Sequence, residues 1–159
     1  MTRMIVTYFS ATGTTESAAE ALARATGAEL YRIEPAERYA RRDLDWNDAS
    51  SRTSVEQNDE SARPSLAGKA PDLSAYDDAL VGLPIWWAVE PRIVDRFLDA
   101  VDLVGTTVVS FATSGGSGVS RATERIRKLH PEARVLDGRI LNGSSSGSCL
   151  AEWIDGLGV

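Results

Sequence analysis

Four hydroxyl side chains and one glycine lie within six uncharged residues near the start of the chain. These residues are Ser10, Ala11, Thr12, Gly13, Thr14 and Thr15. They follow an apolar run at residues 4–9 and precede a helical pattern at residues 16–25. Backbone N–H groups at a helix N-terminus, supported by hydroxyls, can hold a phosphate group. Serine and threonine are also common helix caps, so this segment alone supports a phosphate site and a plain cap equally.

Two further segments stand directly after strand-like runs. The first contains Pro84, Ile85, Trp86 and Trp87, and the second, Thr113, Ser114, Gly115 and Gly116, opens a glycine–serine loop that runs to residue 118. A loop tryptophan pair either caps the core or forms a wall for a flat aromatic ligand. A glycine-rich loop is either a flexible turn or a rim of N–H groups close to a ligand. A phosphate cradle, an aromatic wall and a polar rim together suit a phosphate joined to a flat heterocycle, and flavin mononucleotide (FMN) is the natural candidate.

The elements that must position these loops alternate between short β-rich runs and longer helical ones. Strands are predicted at residues 4–9, 29–33, 79–83, 106–112 and 134–136, with 139–141 as a further short run. Helices are predicted at residues 14–26, 91–100, 119–129 and 148–157, with a poorly amphipathic helical stretch within 43–62. This alternation predicts an α/β fold, with a doubly wound five-stranded parallel sheet covered on both faces. The length of 159 residues predicts one domain over residues 1–159. Because ligands bind beyond the carboxyl ends of parallel strands, the three loops should meet at one sheet edge.

The same segments carry a family resemblance. Residues 5–15, 82–87 and 111–118, and more weakly 28–36, resemble the flavodoxin family, specifically its short-chain branch. The resemblance implies a flavodoxin-like three-layer sandwich that binds FMN. It also implies that the first segment binds the FMN phosphate without lysine or arginine. The second would flank the isoalloxazine ring, and the third would hydrogen-bond its pyrimidine edge.

Two departures from the family pattern bear on redox behaviour. Ala88 stands where similar sequences often have glycine, so a peptide flip toward the flavin N5 is expected to be hindered. The third loop lacks the tyrosine that stacks on the ring in long-established flavodoxins. One ring face is therefore expected to be open to a substrate, or covered by the polar segment 36–70. An uncharged site in an acidic protein disfavours an anionic flavin hydroquinone. It therefore predicts a low reduction potential for the second electron that the flavin takes up.

Composition limits the partners. The net charge of −6 argues against nucleic acid and anionic membranes, and it suits a basic redox partner protein or a small-molecule electron acceptor. The acidic residues within 43–60 (Asp43, Asp45, Asp48, Glu56, Asp59 and Glu60) indicate either a solvated helix or a docking face for such a partner. The single cysteine, Cys149, excludes an intrachain disulfide and is expected to pack in the core. The absence of a signal peptide and of a long apolar run predicts a cytoplasmic protein.

Other motifs are weak. Residues 143–147 match G-x-S-x-G, but the only histidine, His130, precedes this serine-rich stretch, whereas in α/β-hydrolases it follows the nucleophile. His130 is interpreted as a helix C-terminal residue. The sequence contains neither a phosphate-binding loop with the pattern G-x-x-x-x-G-K-[ST] nor a G-x-G-x-x-G after the first strand.

Three functions remain open from the sequence. The favoured one is an FMN-binding electron carrier. The second is an FMN-dependent oxidoreductase that takes hydride from NAD(P)H and passes it to a quinone-type acceptor. The third keeps the fold but uses the cleft for non-redox chemistry or for binding a partner.

Overall fold

A computed structural model describes residues 3–142 and 146–159, and it confirms the predicted α/β architecture. The five strands are β1 (Met4–Tyr8), β2 (Glu29–Arg32), β3 (Asp78–Pro84), β4 (Thr107–Thr113) and β5 (Arg134–Ile140). The helices are α1 (Thr14–Thr26), α2 (Arg52–Gln57), α3 (Arg92–Ala100), α4 (Ser120–Leu129) and α5 (Gly147–Gly156). Two short 3₁₀ helices, Arg41–Leu44 and Leu73–Ala75, lie in the long connection between β2 and β3.

The strands form one parallel sheet in the order β2-β1-β3-β4-β5. After β1 the chain goes outward to β2 and then returns to the other side of β1, so the strand order reverses between β1 and β3. The register places Tyr8 beside Gly82, and Gly82 beside Phe111. The carboxyl ends of β1, β3 and β4 are therefore level, and the three predicted loops leave the sheet side by side.

Each sheet face carries its own apolar core, because successive strand residues point to opposite faces. On one face, Val6, Leu80 and Phe111 pack with residues of α1 and α5 such as Leu22 and Ile154. On the other face, the strand residues pack against apolar side chains of α3 and α4, which include Ile93, Val94, Phe97, Leu98 and Ile126. Each fully buried side chain of this size contributes about 1.5–3 kcal/mol, so these two layers fix the strand ends that hold the site.

β5 is one continuous strand, whereas its sequence pattern divides it into two short runs. The register between β4 and β5 shifts between Val109 and Phe111, which marks a bulge. Gly138 lies at this point, and a Cβ atom built on it would be 2.4 Å from the backbone oxygen of Ser110. The glycine thus permits a close backbone approach while it interrupts the apolar pattern.

The long connection differs from the predicted helix within 43–62. Only the 3₁₀ helix Arg41–Leu44 and the six-residue α2 are helical there. The Asp45 and Asp48 side chains accept hydrogen bonds from the backbone N–H groups of Asn47 (3.0 Å) and Ser50 (2.9 Å). Such local bonds stabilise turns at the expense of a continuous helix.

Candidate functional site

The first loop leaves the N-terminus of α1 open. Gly13 is the N-cap residue, with φ of 95°, and no side chain caps this helix end. The Ser10 hydroxyl accepts a hydrogen bond from the Gly13 N–H at 3.0 Å, which closes the loop on itself. Hydrogen bonding of the helix begins when Ser17 N–H donates to the Gly13 carbonyl at 3.1 Å. The N–H groups of residues 14–16 therefore have no acceptor within the helix.

This arrangement suits an anion better than it suits a self-capped helix. The hydroxyls of Thr12 and Thr14 are exposed beside the open N–H groups, and Thr15 is buried. Ser10 is buried, and its hydroxyl oxygen already accepts the hydrogen bond from the Gly13 N–H. The N–H groups, the helix dipole and the nearby hydroxyls offer donors for a phosphate, whereas the Gly13 N–H is committed to Ser10.

Direct hydrogen bonds join the first loop to the third. The Thr15 and Thr113 hydroxyls are 2.8 Å apart, and both residues are buried. The Asn142 side chain holds Ser114 from both sides: its oxygen accepts from Ser114 N–H at 2.9 Å, and its amide donates to the Ser114 carbonyl at 2.6 Å. Gly116 N–H donates to the Ser114 hydroxyl at 3.2 Å, which fixes the start of the glycine run.

The second loop is a tight turn with both central residues in the left-handed region. Trp86 and Val89 exchange backbone hydrogen bonds of 2.9 and 3.2 Å. Between them, Trp87 has φ of 53° and Ala88 has φ of 69°. This is the pattern of a type I′ turn, which asparagine and glycine normally occupy. Each such residue with a Cβ atom costs about 1–3 kcal/mol, so the surrounding structure must hold the turn in place.

Trp86 belongs to an aromatic cluster behind the turn. Its ring centroid lies 5.6 Å from that of Phe9 and 5.5 Å from that of Tyr39, and both pairs are edge-to-face. Phe9 and Tyr39 also meet at 5.5 Å. The Tyr39 hydroxyl donates to Glu56, and burial, followed by this carboxylate, raises the pKa of Tyr39. Trp86 thus packs on the core and also borders the cleft, and its role as a wall for a flat aromatic ligand stays a prediction.

The three loops border one cleft of about 470 Å³ at the carboxyl edge of the sheet. Its lining residues are Ala11, Thr12, Thr14, Thr15, Leu44, Pro84, Ile85, Trp86, Thr113, Ser114, Gly115 and Asn142. No charged side chain is among these described lining residues. The lining does not include Ser10, Gly13 or Gly116, which make hydrogen bonds within the first and third loops. Trp87 lines a neighbouring cavity.

Two lining residues were not assigned to the site from the sequence. Asn142 lies two residues beyond the end of β5, and the only available signal is a polar residue just after a fourth strand at this edge. Leu44 was recognised only as an apolar residue of the long connection. Its position shows that segment 36–70 reaches the cleft. The third loop, which borders the same cleft, contains no tyrosine that could stack on a ring. Ala88 adopts a positive φ without being glycine, and its predicted effect on a peptide flip stays a prediction.

Helix α2 holds the strained turn through Gln57. The Gln57 amide donates to the Trp86 carbonyl at 3.0 Å and to the Glu90 carbonyl at 3.3 Å, so it spans the turn from one end to the other. Arg92 holds the end of α2 in return, because its guanidinium donates to the carbonyls of Gln57 (3.0 Å) and Asp59 (3.0 Å). The segment predicted as a solvated helix therefore includes a buried brace for the second loop.

A buried ionic cluster lies next to this brace. Arg125 of α4 contacts Glu90 at 3.2 Å and Asp95 at 2.6 Å, and both carboxylates are fully buried. Arg92 lies 3.5 Å from Asp95. Glu90 Oε2 and Asp95 Oδ1 have no hydrogen-bond partner among the described residues. Burial, followed by the nearby Asp95 charge, raises the pKa of Glu90 to about 8, and burial also raises the pKa of Asp95.

The Glu90 carboxyl is expected to make stability fall as the pH rises. Its folded-state pKa of about 8 lies above its ordinary value of 4.5. Between these values the folded chain holds a proton that the unfolded chain has released. The free energy of unfolding should therefore decrease by up to about 1.4 kcal/mol per pH unit between about pH 5 and pH 8. Urea unfolding across this range measures the total slope, and Glu90→Gln should remove the part of it that Glu90 contributes. The exposed Glu20→Gln is the matched control, and an unchanged slope in Glu90→Gln would contradict the assignment.

Several other predictions lie away from the cleft. Cys149 is exposed in the first turn of α5, so its expected packing role is wrong. His130 is buried at the end of α4, between Glu132 (3.1 Å) and Asp99 (3.5 Å). The G-x-S-x-G match at 143–147 lies largely outside the described residues. Across residues 3–142 and 146–159, no group of three or more His, Cys, Asp or Glu side chains could hold a metal, and no helix is long and apolar enough to cross a membrane.

Known proteins resemble the chain over its whole length. The sequence profile of the flavodoxin family matches residues 3–157. A protein of Bacteroides eggerthii, assigned as a flavoprotein, is 43% identical in sequence. Its crystal structure has a TM-score of 0.96 and covers 100% of this chain and 99% of its own. A second such protein, from Bacteroides uniformis, is also 43% identical, with a TM-score of 0.92 and coverage of 97% and 98%.

A more distant structure contains a ligand. The flavoprotein of Lactobacillus acidophilus, solved in complex with FMN, is 19% identical, with a TM-score of 0.72 and coverage of 97% of this chain and 99% of its own. At this identity the likeness concerns the fold. No protein with a curated description matches the chain significantly.

Proposed function

The chain belongs to the flavodoxin family, and from that premise we propose that it binds FMN in the cleft and transfers electrons through it. The observation that carries this proposal is the meeting of the three loops where the strand order reverses between β1 and β3. In open parallel sheets this position is a ligand site. The FMN complex of the Lactobacillus acidophilus flavoprotein, which shares the fold, supports the choice of cofactor.

The residues of the cleft fit the two ends of FMN. The open N-terminus of α1, with Thr12, Thr14 and Thr15, would hold the phosphate. Trp86 would form one apolar wall for the ring system, and the Ser114–Gly115 backbone would supply polar groups to its edge. Bound FMN supplies the electron-transfer chemistry, while the protein binds, orients and shields it.

The visible spectrum of the purified protein tests this function. We expect flavin absorption bands, and we expect the apo-protein to take up one FMN per chain. A colourless protein that fails to take up added FMN would overturn the proposal and would favour the cleft as a site for non-redox chemistry.

A second candidate is an FMN-dependent oxidoreductase that is reduced directly by NAD(P)H. The observation that favours it is the apolar cavity that adjoins the cleft at Trp86 and Leu44, since it gives a small reactant a place beside the ring. Rapid bleaching of the bound flavin by NADPH alone would select this candidate over an electron carrier. Slow bleaching would favour the electron carrier, and its reductant would then be a protein or another small molecule.

A further inference from the structure

The strained turn of the second loop is joined to the rest of the chain by few hydrogen bonds. At the entrance of the loop, Ile85 N–H donates to the Thr113 carbonyl at 3.0 Å, which ties this point to the end of β4. Beyond it, among the described residues, only the Gln57 amide bonds the main chain of residues 86–90 to another element. The conformation of the turn therefore depends on one side chain.

The chemistry of its two acceptors fixes the orientation of the Gln57 amide. Carbonyl oxygens only accept hydrogen bonds, so the amide nitrogen, with its two hydrogens, must face both Trp86 and Glu90. These two residues bracket the left-handed pair, and their carbonyl oxygens lie 3.0 and 3.3 Å from the nitrogen. The Gln57 oxygen is buried and has no hydrogen-bond partner among the described residues. An unpaired buried oxygen costs stability, and the hold on the turn explains why this side chain is nevertheless buried here.

Gln57 is itself held in place at the end of α2. The Asn58 side chain donates to the Ser54 carbonyl at 2.8 Å, which closes the last turn of this helix. The buried Arg92 guanidinium donates to the Gln57 carbonyl at 3.0 Å. Arg92 is the first residue of α3, which follows the second loop. The contacts thus form a closed circuit: the second loop leads to α3, Arg92 joins α3 to α2, and Gln57 joins α2 back to the turn.

Release of the turn should lower the population of its left-handed form. Trp87 and Ala88 carry Cβ atoms at φ of 53° and 69°, where each has a steric cost. Without the Gln57 amide, the turn should relax toward the ordinary turn types with negative φ. This relaxation would shift the wall that Ile85 and Trp86 form at the cleft. A ligand that needs the present wall then binds more weakly, in proportion to the fraction of molecules that keep it.

We infer that Gln57 is a positioning residue for the flavin ring, because it holds the turn in the form that places Ile85 and Trp86 along the cleft. This inference rests on the proposed FMN function and names a determinant of ring recognition for it. Gln57 is not among the described lining residues of the cleft, so its effect on a flavin passes through the turn. Phosphate recognition at the N-terminus of α1 should be independent of it.

Hydrogen exchange in the apo-protein tests the hold on the turn without any flavin. Val89 N–H donates to the Trp86 carbonyl at 3.2 Å and closes the turn, so its exchange rate reports how often the turn opens. Gln57→Met keeps a side chain of similar length without its donors, and we expect it to speed this exchange at least about tenfold. Glycine takes the left-handed form freely. In the Ala88→Gly background the same replacement should therefore speed the exchange by no more than about threefold.

Titrations with riboflavin and FMN test the positioning of the ring. Gln57→Met should weaken the binding of both flavins by the same factor, at least about tenfold, because the phosphate site is unchanged. In the Ala88→Gly background this factor should shrink to about threefold or less. The matched control is Asn58→Ala, which removes the neighbouring amide and its bond within α2 without touching the turn, and it should leave both affinities unchanged. Gln57→Asn, whose shorter side chain cannot keep both bonds, replaces Gln57→Met in these tests if that variant fails to fold.

The outcomes separate this inference from the proposed function. If the unaltered protein binds FMN and Gln57→Met binds both flavins equally well, the inference is overturned. An equal loss in Asn58→Ala, or a loss that Ala88→Gly does not reduce, would show general support of the fold and would also overturn it. The same holds for a loss confined to FMN, since the effect would then concern the phosphate. Failure of the unaltered protein to bind either flavin would overturn the proposed function and the inference with it, even if the hydrogen exchange is as expected.

Discussion

Replacing Thr12 by aspartate is expected to weaken FMN binding by about 10³-fold. Thr12 lines the cleft beside the open N-terminus of α1, where the phosphate is proposed to bind. The described lining contains no cation to offset a new carboxylate. At about 4 Å and an effective dielectric constant near 20, two unit charges repel by about 4 kcal/mol, and each 1.4 kcal/mol is a factor of ten in affinity. Fluorescence titration of the apo-protein with FMN measures the loss.

The fold should survive this change. Thr12 is exposed, so the carboxylate keeps its water when no phosphate is present. Thr15 is the poorer choice, because its buried hydroxyl bonds to Thr113 and a carboxylate there would disturb both loops. The matched control is Thr12→Asn, because asparagine has the shape of aspartate without its charge. This variant should retain most of the FMN affinity. Riboflavin, which lacks the phosphate, should bind the aspartate variant and the unaltered protein equally. If FMN affinity survives the aspartate, the first loop is only a helix cap.

Replacing Arg125 by alanine is expected to lower the free energy of unfolding by about 3–5 kcal/mol at pH 8. The guanidinium is shared by the Glu90 and Asp95 carboxylates, at 3.2 and 2.6 Å. Its removal leaves two buried acidic groups close together, and among the described residues Arg92 and Arg63 remain to meet the charge on Asp95. Because protonation relieves this cost, the loss should be smaller at pH 5 than at pH 8.

The exposed Arg121 on the same helix provides the matched control for this measurement. Arg121→Ala removes an equal charge from α4 and should change the free energy of unfolding by no more than about 0.5 kcal/mol. Urea unfolding at both pH values compares the two variants. A loss below about 1 kcal/mol in Arg125→Ala, with no dependence on pH, would show that the cluster carries little of the stability.

The sheet and the meeting of the three loops were predictable because they depend on local patterns. Apolar β-rich runs such as residues 79–83 can pack in few ways between helices, and glycine, proline and hydroxyl residues mark where each run ends. The strand order then brings the loops to one edge. The family resemblance is carried by residues 5–15, 82–87 and 111–118, which include these three loops, and it implies the same arrangement.

The brace beneath the turn was not predictable in the same way. Gln57, Glu90 and Arg125 are far apart in sequence, and single polar residues give no periodic signal. Their burial depends on how the connection between β2 and β3 folds back over the turn. The Asx turns of Asp45 and Asp48 interrupt the connection at residues that the sequence pattern assigns to a helix.

The hydroxyl pair of Thr15 and Thr113 links recognition at the two ends of the cleft. Either oxygen can be the donor in this 2.8 Å contact, so the bond has two opposite polarities. If Thr15 gives its single hydrogen to an anion in the first loop, then Thr113 must donate to Thr15. The Thr113 oxygen then faces the third loop only as an acceptor. Occupancy of one end therefore selects the hydrogen-bonding character of the other, and the contributions of the two ends to affinity cannot be simply additive.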